Sequence, residues 1–208
     1  MRDRDLVRLY WPDELRGAFD ALFAIDDALA EIVASATQPA LGAIRLAWWR
    51  EALERLDHAP PPPEPRLQAA ASELLSRGVS GARLAALEDG WSTMLDEFPD
   101  PARIAGRGGA LFALAATLLG ATDARLDAAG NLYALIDSAR RGCVPLLATA
   151  VEARAALIGH RFARTLRPLT GLARLAARDA RHGAPFETEA TPARAAALLA
   201  HRFSGAIA

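Results

Sequence analysis

Lysine is missing from this chain of 208 residues: all 24 basic positions are arginine, set against 25 acids, for a formal net charge of -1. So balanced a charge exerts no overall pull on nucleic acid, and no nucleic-acid partner is expected. Arginine suits phosphate forks and interfaces; its exclusive use beside an excess of alanine also fits coding bias in a GC-rich genome. Cysteine occurs once, as Cys143, which excludes an intramolecular disulfide and is consistent with a reducing compartment. Aromatics make up only 6%, and the Val, Ile, Thr and Tyr clusters that mark strands are nearly absent, so a sheet-based fold is not expected. The N-terminus, Met1-Arg2-Asp3-Arg4-Asp5, lacks the apolar stretch of a signal peptide. The longest nearly uncharged run, Gly108 to Thr122, is about 15 residues, short of the roughly 20 needed to cross a bilayer. It reads as a buried helix of a soluble protein, attached at most to a membrane surface.

What the chain does contain is alanine and leucine at helical spacing, within a hydrophobic fraction of 52%. A short first helix around Leu6, Leu9 and Tyr10 stops before Pro12, which starts a second helix with Asp13 and Glu14 in its first turn. The core stripe of that second helix is Leu15, Ala18, Phe19, Leu22, Ile25, Leu29, Ile32 and Val33. Pro39 opens a third helix that ends near Leu56, and a proline-rich loop at 58–65 follows as a stiff spacer. Further helices are predicted at about 66–77, 80–97, 101–120 and 123–140. A long Arg-rich helix then runs to about Arg181 with a kink at Pro168, and Pro192 opens the last helix after a loop at 183–191. The first 56 residues hold too little core to stand alone, so one all-α domain over 1–208 is expected.

Within the third helix stands Leu41-Gly42-Ala43-Ile44-Arg45-Leu46-Ala47-Trp48-Trp49-Arg50-Glu51-Ala52-Leu53. Adjacent tryptophans on a helix point about 100° apart. Leu41, Ile44, Trp48 and Arg55 lie on one row, and Arg45, Trp49, Ala52 and Leu56 on the next. An indole on each of two rows predicts an inner helix touching neighbours on both sides. The run resembles the L-G-x-I-R-L-x-W-W-R-x-x-L signature of the squalene/phytoene synthase-like family, and more narrowly the branch that includes respiratory complex I assembly factors.

The resemblance implies an antiparallel helical bundle of the isoprenoid-synthase type around a central, mostly apolar cavity. It also implies two aspartate-rich motifs facing each other across that cavity, holding Mg²⁺ for the departure of diphosphate from a prenyl chain. Hard Mg²⁺ takes carboxylate oxygens, and arginines neutralise the diphosphate. The first motif falls at Asp26-Asp27-Ala28-Leu29-Ala30-Glu31. Asp27 and Glu31 are four apart on one helix face and could chelate one ion; if Asp26 is the family's first aspartate, its partner position is Ala30. Asp20, Asp27 and Glu31 also read as a solvated acidic stripe. The second motif falls between Asn131 and Arg141, where Asp137 is the sole acid and Ala139-Arg140-Arg141-Gly142 precedes Pro145. The resemblance thus names Asp27, Glu31 and Asp137 as catalytic candidates, Asp26, Asp27 and Glu31 as metal ligands, and Arg45, Trp49, Tyr133, Arg140 and Arg141 as substrate-binding residues. It implies a cytoplasmic protein, peripheral to the inner membrane, that binds a prenyl diphosphate or related isoprenoid lipid with weak or no head-to-head condensation. A non-catalytic assembly or partner-binding protein is the alternative.

Other chemistries find little support. His58, His160, His182 and His201 are scattered without cysteine partners. No serine lies in G-x-S-x-G, and Gly106-Arg107-Gly108-Gly109 lacks the Lys-Ser/Thr of a phosphate loop, so it reads as a close helix approach. Over residues 154–181, Arg154, Arg161, Arg164, Arg167, Arg174, Arg178 and Arg181 alternate with leucines at helical spacing. Such a helix could lie on anionic lipid or serve as an ordinary outer helix of the bundle.

Overall fold

Short α1 (Asp3–Arg8) and a 3₁₀ turn at Asp13–Leu15 lead into α2 (Arg16–Ser35) and α3 (Pro39–Arg55). After the proline-rich loop come α4 (Pro65–Glu73), α5 (Gly81–Ala85), α6 (Glu88–Ser92), α7 (Pro101–Leu119) and α8 (Leu126–Arg140). The chain closes with α9 (Leu146–Ala155), α10 (Arg167–His182) and α11 (Pro192–Ser204). The computed structural model describes residues 2–207, and among them no strand is present, only one isolated antiparallel bridge between Arg161 and Ala206. The all-α, single-domain expectation holds.

Local chemistry explains most helix starts. α3, α4, α7, α10 and α11 each carry proline at the first or second helical position, where its missing N–H costs nothing. Glu64, Ser80, Asp100 and Thr191 cap α4, α5, α7 and α11 by accepting from free backbone N–H groups. Pro168 therefore begins α10 and kinks nothing. The predicted Arg-rich helix is two helices, because Gly159 turns left-handed (φ 78°) and the chain re-enters through a 3₁₀ turn at Arg164–Leu166. Likewise 80–97 folds as α5, α6 and a 3₁₀ turn at Thr93–Leu95 instead of one helix.

The core runs along α2, α7, α8 and α10. Phe19, Leu22, Ile25 and Leu29 of α2 are fully buried, as their spacing predicts, and Phe23, outside the expected stripe, is buried with them. Trp11 stacks on Phe19 and Phe23 at 4.7 and 5.5 Å, and its indole donates to the Pro168 carbonyl at 3.1 Å, fastening the N-terminal segment to α10. α7 and α8 touch backbone to backbone: a Cβ on Gly108 would lie 2.0 Å from the Gly130 carbonyl oxygen. α7 spans 19 residues and, by length and composition, is the one helix among those described that could cross a membrane. It exceeds the expected uncharged run because it absorbs Arg107, whose charge is met inside the protein by Asp26. More than half of the apolar stretch of α7 is buried in the bundle, as a core helix requires.

α3 departs from the expected inner position. Gly42, Leu46, Trp49, Ala52 and Leu53 are buried, whereas Leu41, Ile44 and Trp48 are exposed. Trp49 is 9% exposed and Trp48 48%, the two indoles meeting edge-on at 5.8 Å. Only one row of this helix has neighbours.

Candidate functional site

Two segments far apart in sequence, the middle of α2 and the end of α8, meet at a cavity of about 350 Å³. α1 and Arg2 close one side of it, α10 forms the opposite wall, and Glu189 and the buried Arg194 complete the lining. Ile136, Leu172, Leu175 and Ala176 supply an apolar wall. Around them stand Arg2, Arg4, Arg140, Arg141 and Arg194, with Asp3, Asp27, Asp137, Asp179 and Glu189. Charged and apolar groups thus share the cavity surface about equally, where a mostly apolar chamber was expected.

Each aspartate here is held by arginine. Arg4 bonds the Asp27 carboxylate directly, and Arg2 Nη1 donates to the same oxygen at 3.3 Å. Across the cavity Asp137 accepts from Arg141 Nε at 3.0 Å and lies 3.5 Å from Arg107 Nη2. Asp179 accepts from Arg140 Nε at 2.8 Å and from Arg194 Nη1 at 2.6 Å, while Arg194 also grips Asp3. Arg194 and Asp179 are fully buried, so this chain of charges is sustained only because each member is paired. It ties α1, α8, α10 and α11 together across the whole length of the sequence.

Burial, with Asp137 and Asp26 nearby, pushes the Tyr133 phenol well above its ordinary range, so it remains a neutral donor. Its ring packs against Phe112 at 5.6 Å. Desolvation works against the Arg141 guanidinium, but Asp137, with Asp26 and Tyr133 behind it, more than offsets that and raises the group above the usual arginine range.

The expected site residues divide cleanly. Asp27, Tyr133, Asp137, Arg140 and Arg141 line the one cavity. Asp26 does not: it is buried in the core, accepting from the Trp91 indole at 2.7 Å and Arg107 Nη1 at 3.0 Å. Glu31 lies outside the cavity lining, exposed and paired with Arg66 at 2.8 Å. Arg45 donates to Ser35 on the outer surface, and Trp49 is packed in the core of α3's inner side. Neither reaches the cavity.

Mg²⁺ calls for several carboxylate oxygens free to converge on one point. In Asp27 and in Asp137 one oxygen, Oδ2, is shared between two guanidinium groups instead, and Glu31 is turned to Arg66. No group of three or more His, Cys, Asp or Glu side chains among the described residues is placed to hold a metal ion. The donor set does not fit a resident Mg²⁺: five arginines and five acids line the cavity, and the arginines take up the aspartates.

Arg2, Arg4, Asp3, Asp179 and Arg194 were not anticipated. Their pairings join residues up to 191 positions apart, and nothing local distinguishes Arg194 in an alanine-rich helix from a solvated arginine. No protein-family model, curated protein or solved structure matches this chain.

Proposed function

We propose that this chain is a squalene/phytoene synthase-like protein whose cavity binds a prenyl diphosphate or related isoprenoid lipid without metal, and with little or no head-to-head condensation. One observation carries the reading: Asp27 on α2 and Asp137 on α8, from the two segments that resemble the family's acidic motifs, line the same arginine-rich cavity. Arg2 and Arg141 are its more exposed guanidiniums, at 57% and 39% of their side chains. An arriving diphosphate draws these two away from Asp27 and Asp137, exchanging one charge-assisted bond for another. The apolar wall of Ile136, Leu172 and Leu175 takes the first part of the hydrocarbon chain.

Condensation asks for more. One diphosphate must be ionised while a second chain is held in register, and loss of a single charge stabiliser costs about 3–4 kcal/mol, or 10²–10³ in rate. Here the stabilising charges are committed to internal pairs. Titration calorimetry with C15 and C20 prenyl diphosphates is expected to show binding that is indifferent to Mg²⁺ and at least tenfold weaker in Arg141→Gln. Absence of binding overturns the ligand reading. Extraction of squalene- or phytoene-type products at an ordinary enzymatic rate, about 10 s⁻¹, overturns the non-catalytic one.

A second reading, a partner-binding protein of the respiratory complex I assembly type, is favoured by the exposed row Leu41, Ile44 and Trp48 on α3. Deleting the chain from its host would then lower complex I activity. Asp27→Ala would restore that activity and Ile44→Glu would not; equal rescue by both sinks this reading.

A further inference from the structure

A second cavity, of about 380 Å³, opens between the start of α10, the end of α11 and Tyr10. It is within the roughly 300–1,000 Å³ range of small-molecule sites. Its charge pattern is unlike that of the first. Arg164, Arg167 and Arg202 line it and no acid does. Arg167 spends its donors on neutral carbonyls, those of Phe162, Arg202 and Phe203 at 2.9–3.0 Å, so its charge is not cancelled by a carboxylate. Arg202 lies 4.9 Å from the Tyr10 ring centroid, and no carboxylate among the described residues is bonded to it or to Arg164. The first turn of the sixteen-residue α10 reaches this space at Arg167 and Pro168, and the carbonyl end of α11 reaches it at Arg202 and Phe203. Leu198 lines the interior, and Phe203, 73% exposed, stands at the mouth beside Arg202.

Three guanidiniums with no carboxylate partner among the described residues, together with an apolar lip, define a receptor for a compact anion joined to an apolar body. We infer that this cavity binds a phosphate group carried on an apolar moiety, the guanidinium forks taking the phosphate oxygens while Leu198 and Phe203 cover the apolar part. Phosphate suits the site because its oxygens can engage several forks at once. The same chemistry is offered by a soluble phosphate ester and by an anionic lipid headgroup, and the inference is independent of the reading given for the first cavity.

Phenyl phosphate, measured by calorimetry at low salt, probes the soluble case. Co-sedimentation with phosphatidylglycerol vesicles, against phosphatidylcholine vesicles, probes the lipid case. The test variant is Arg164→Gln with Arg202→Gln, both exposed and neither side chain donating a hydrogen bond to the described residues, leaving the structural Arg167 in place. The control is Arg141→Gln in the first cavity. Binding to at least one probe, weakened tenfold or more by the double change and unaffected by the control, supports the assignment, and the responding probe identifies the source of the phosphate. Binding to neither probe, binding equally strong in the double variant, or loss only in the control overturns it. Unchanged melting temperature of the double variant guards against trivial unfolding.

Discussion

Trp91 donates its indole N–H to Asp26 at 2.7 Å inside the core, and Arg107, stacked 3.8 Å from the same ring centroid, donates to the same carboxylate oxygen. This buried triad joins α2, α6 and α7. Asp26→Ala leaves the Arg107 cation without its closest partner, a change that costs about 3–5 kcal/mol in comparable buried pairs. Urea unfolding is expected to show that loss, with a smaller one for Asp26→Asn, which retains an acceptor for the indole. A loss below 1 kcal/mol for Asp26→Ala would show that this triad does not hold the core together.

The two adjacent tryptophans respond unequally. Trp49→Ala empties a core position and is expected to cost about 3–5 kcal/mol. Trp48→Ala removes mainly an edge-on aromatic contact, worth about 0.5–1.5 kcal/mol. Equal losses in chemical denaturation would mean that the outer row of α3 is covered.

Two glycines of α7 give opposite signs. At Gly108 an added methyl meets the Gly130 carbonyl at 2.0 Å, and at Gly106 it meets nothing within 4 Å. Gly108→Ala must push α7 and α8 apart and is expected to cost about 1–3 kcal/mol or more. Gly106→Ala is expected to stabilise by about 0.5–1 kcal/mol, since it removes chain entropy from the unfolded state and clashes with nothing. Thermal melts of the pair read both signs directly.

His201 sets a pH dependence. Burial, aided by the charges of Arg174 and Arg167 and opposed by a hydrogen bond to the Ala206 carbonyl, lowers it from 6.5 to about 4. Its Nε2 lies 3.0 Å from the Thr170 hydroxyl. The folded state holds this imidazole neutral, so the unfolded chain takes up the proton first as pH falls. Stability from this group is full above pH 6.5 and is lost progressively down to about pH 4, by up to roughly 3 kcal/mol. His201→Gln is expected to flatten the stability profile in that window relative to the unaltered protein. A profile of unchanged slope would show that His201 is not the responsible group.

Most helix starts in this chain are a local property and are legible without tertiary information, whereas the breaks within 80–97 and after Gly159 are not. Pro39, Pro101 and Pro192 open helices where a first-turn N–H has no partner to lose, and the spacing of Phe19, Leu22, Ile25 and Leu29 selects the inward face of α2. Pro168 was misread because the same ring that kinks a helix interior also suits a helix start; only the preceding break at Gly159 decides between them. Of the residues that the resemblance named, Asp27, Tyr133, Asp137, Arg140 and Arg141 share a cavity, and Asp26, Glu31, Arg45 and Trp49 lie outside it. Which way Asp26 and Asp27 divide was decided by their neighbours: Arg107 and Trp91 draw one into the core, and Arg2 and Arg4 hold the other at the cavity. The exposed row of α3 and the acid-free cavity at Arg164 and Arg202 are of the same kind. A helix's periodicity specifies its faces, but the elements that cover each face, and the counter-charges that meet most of the buried arginines, come from other segments, 81 residues away for Arg107 and Asp26 and 191 for Arg194 and Asp3.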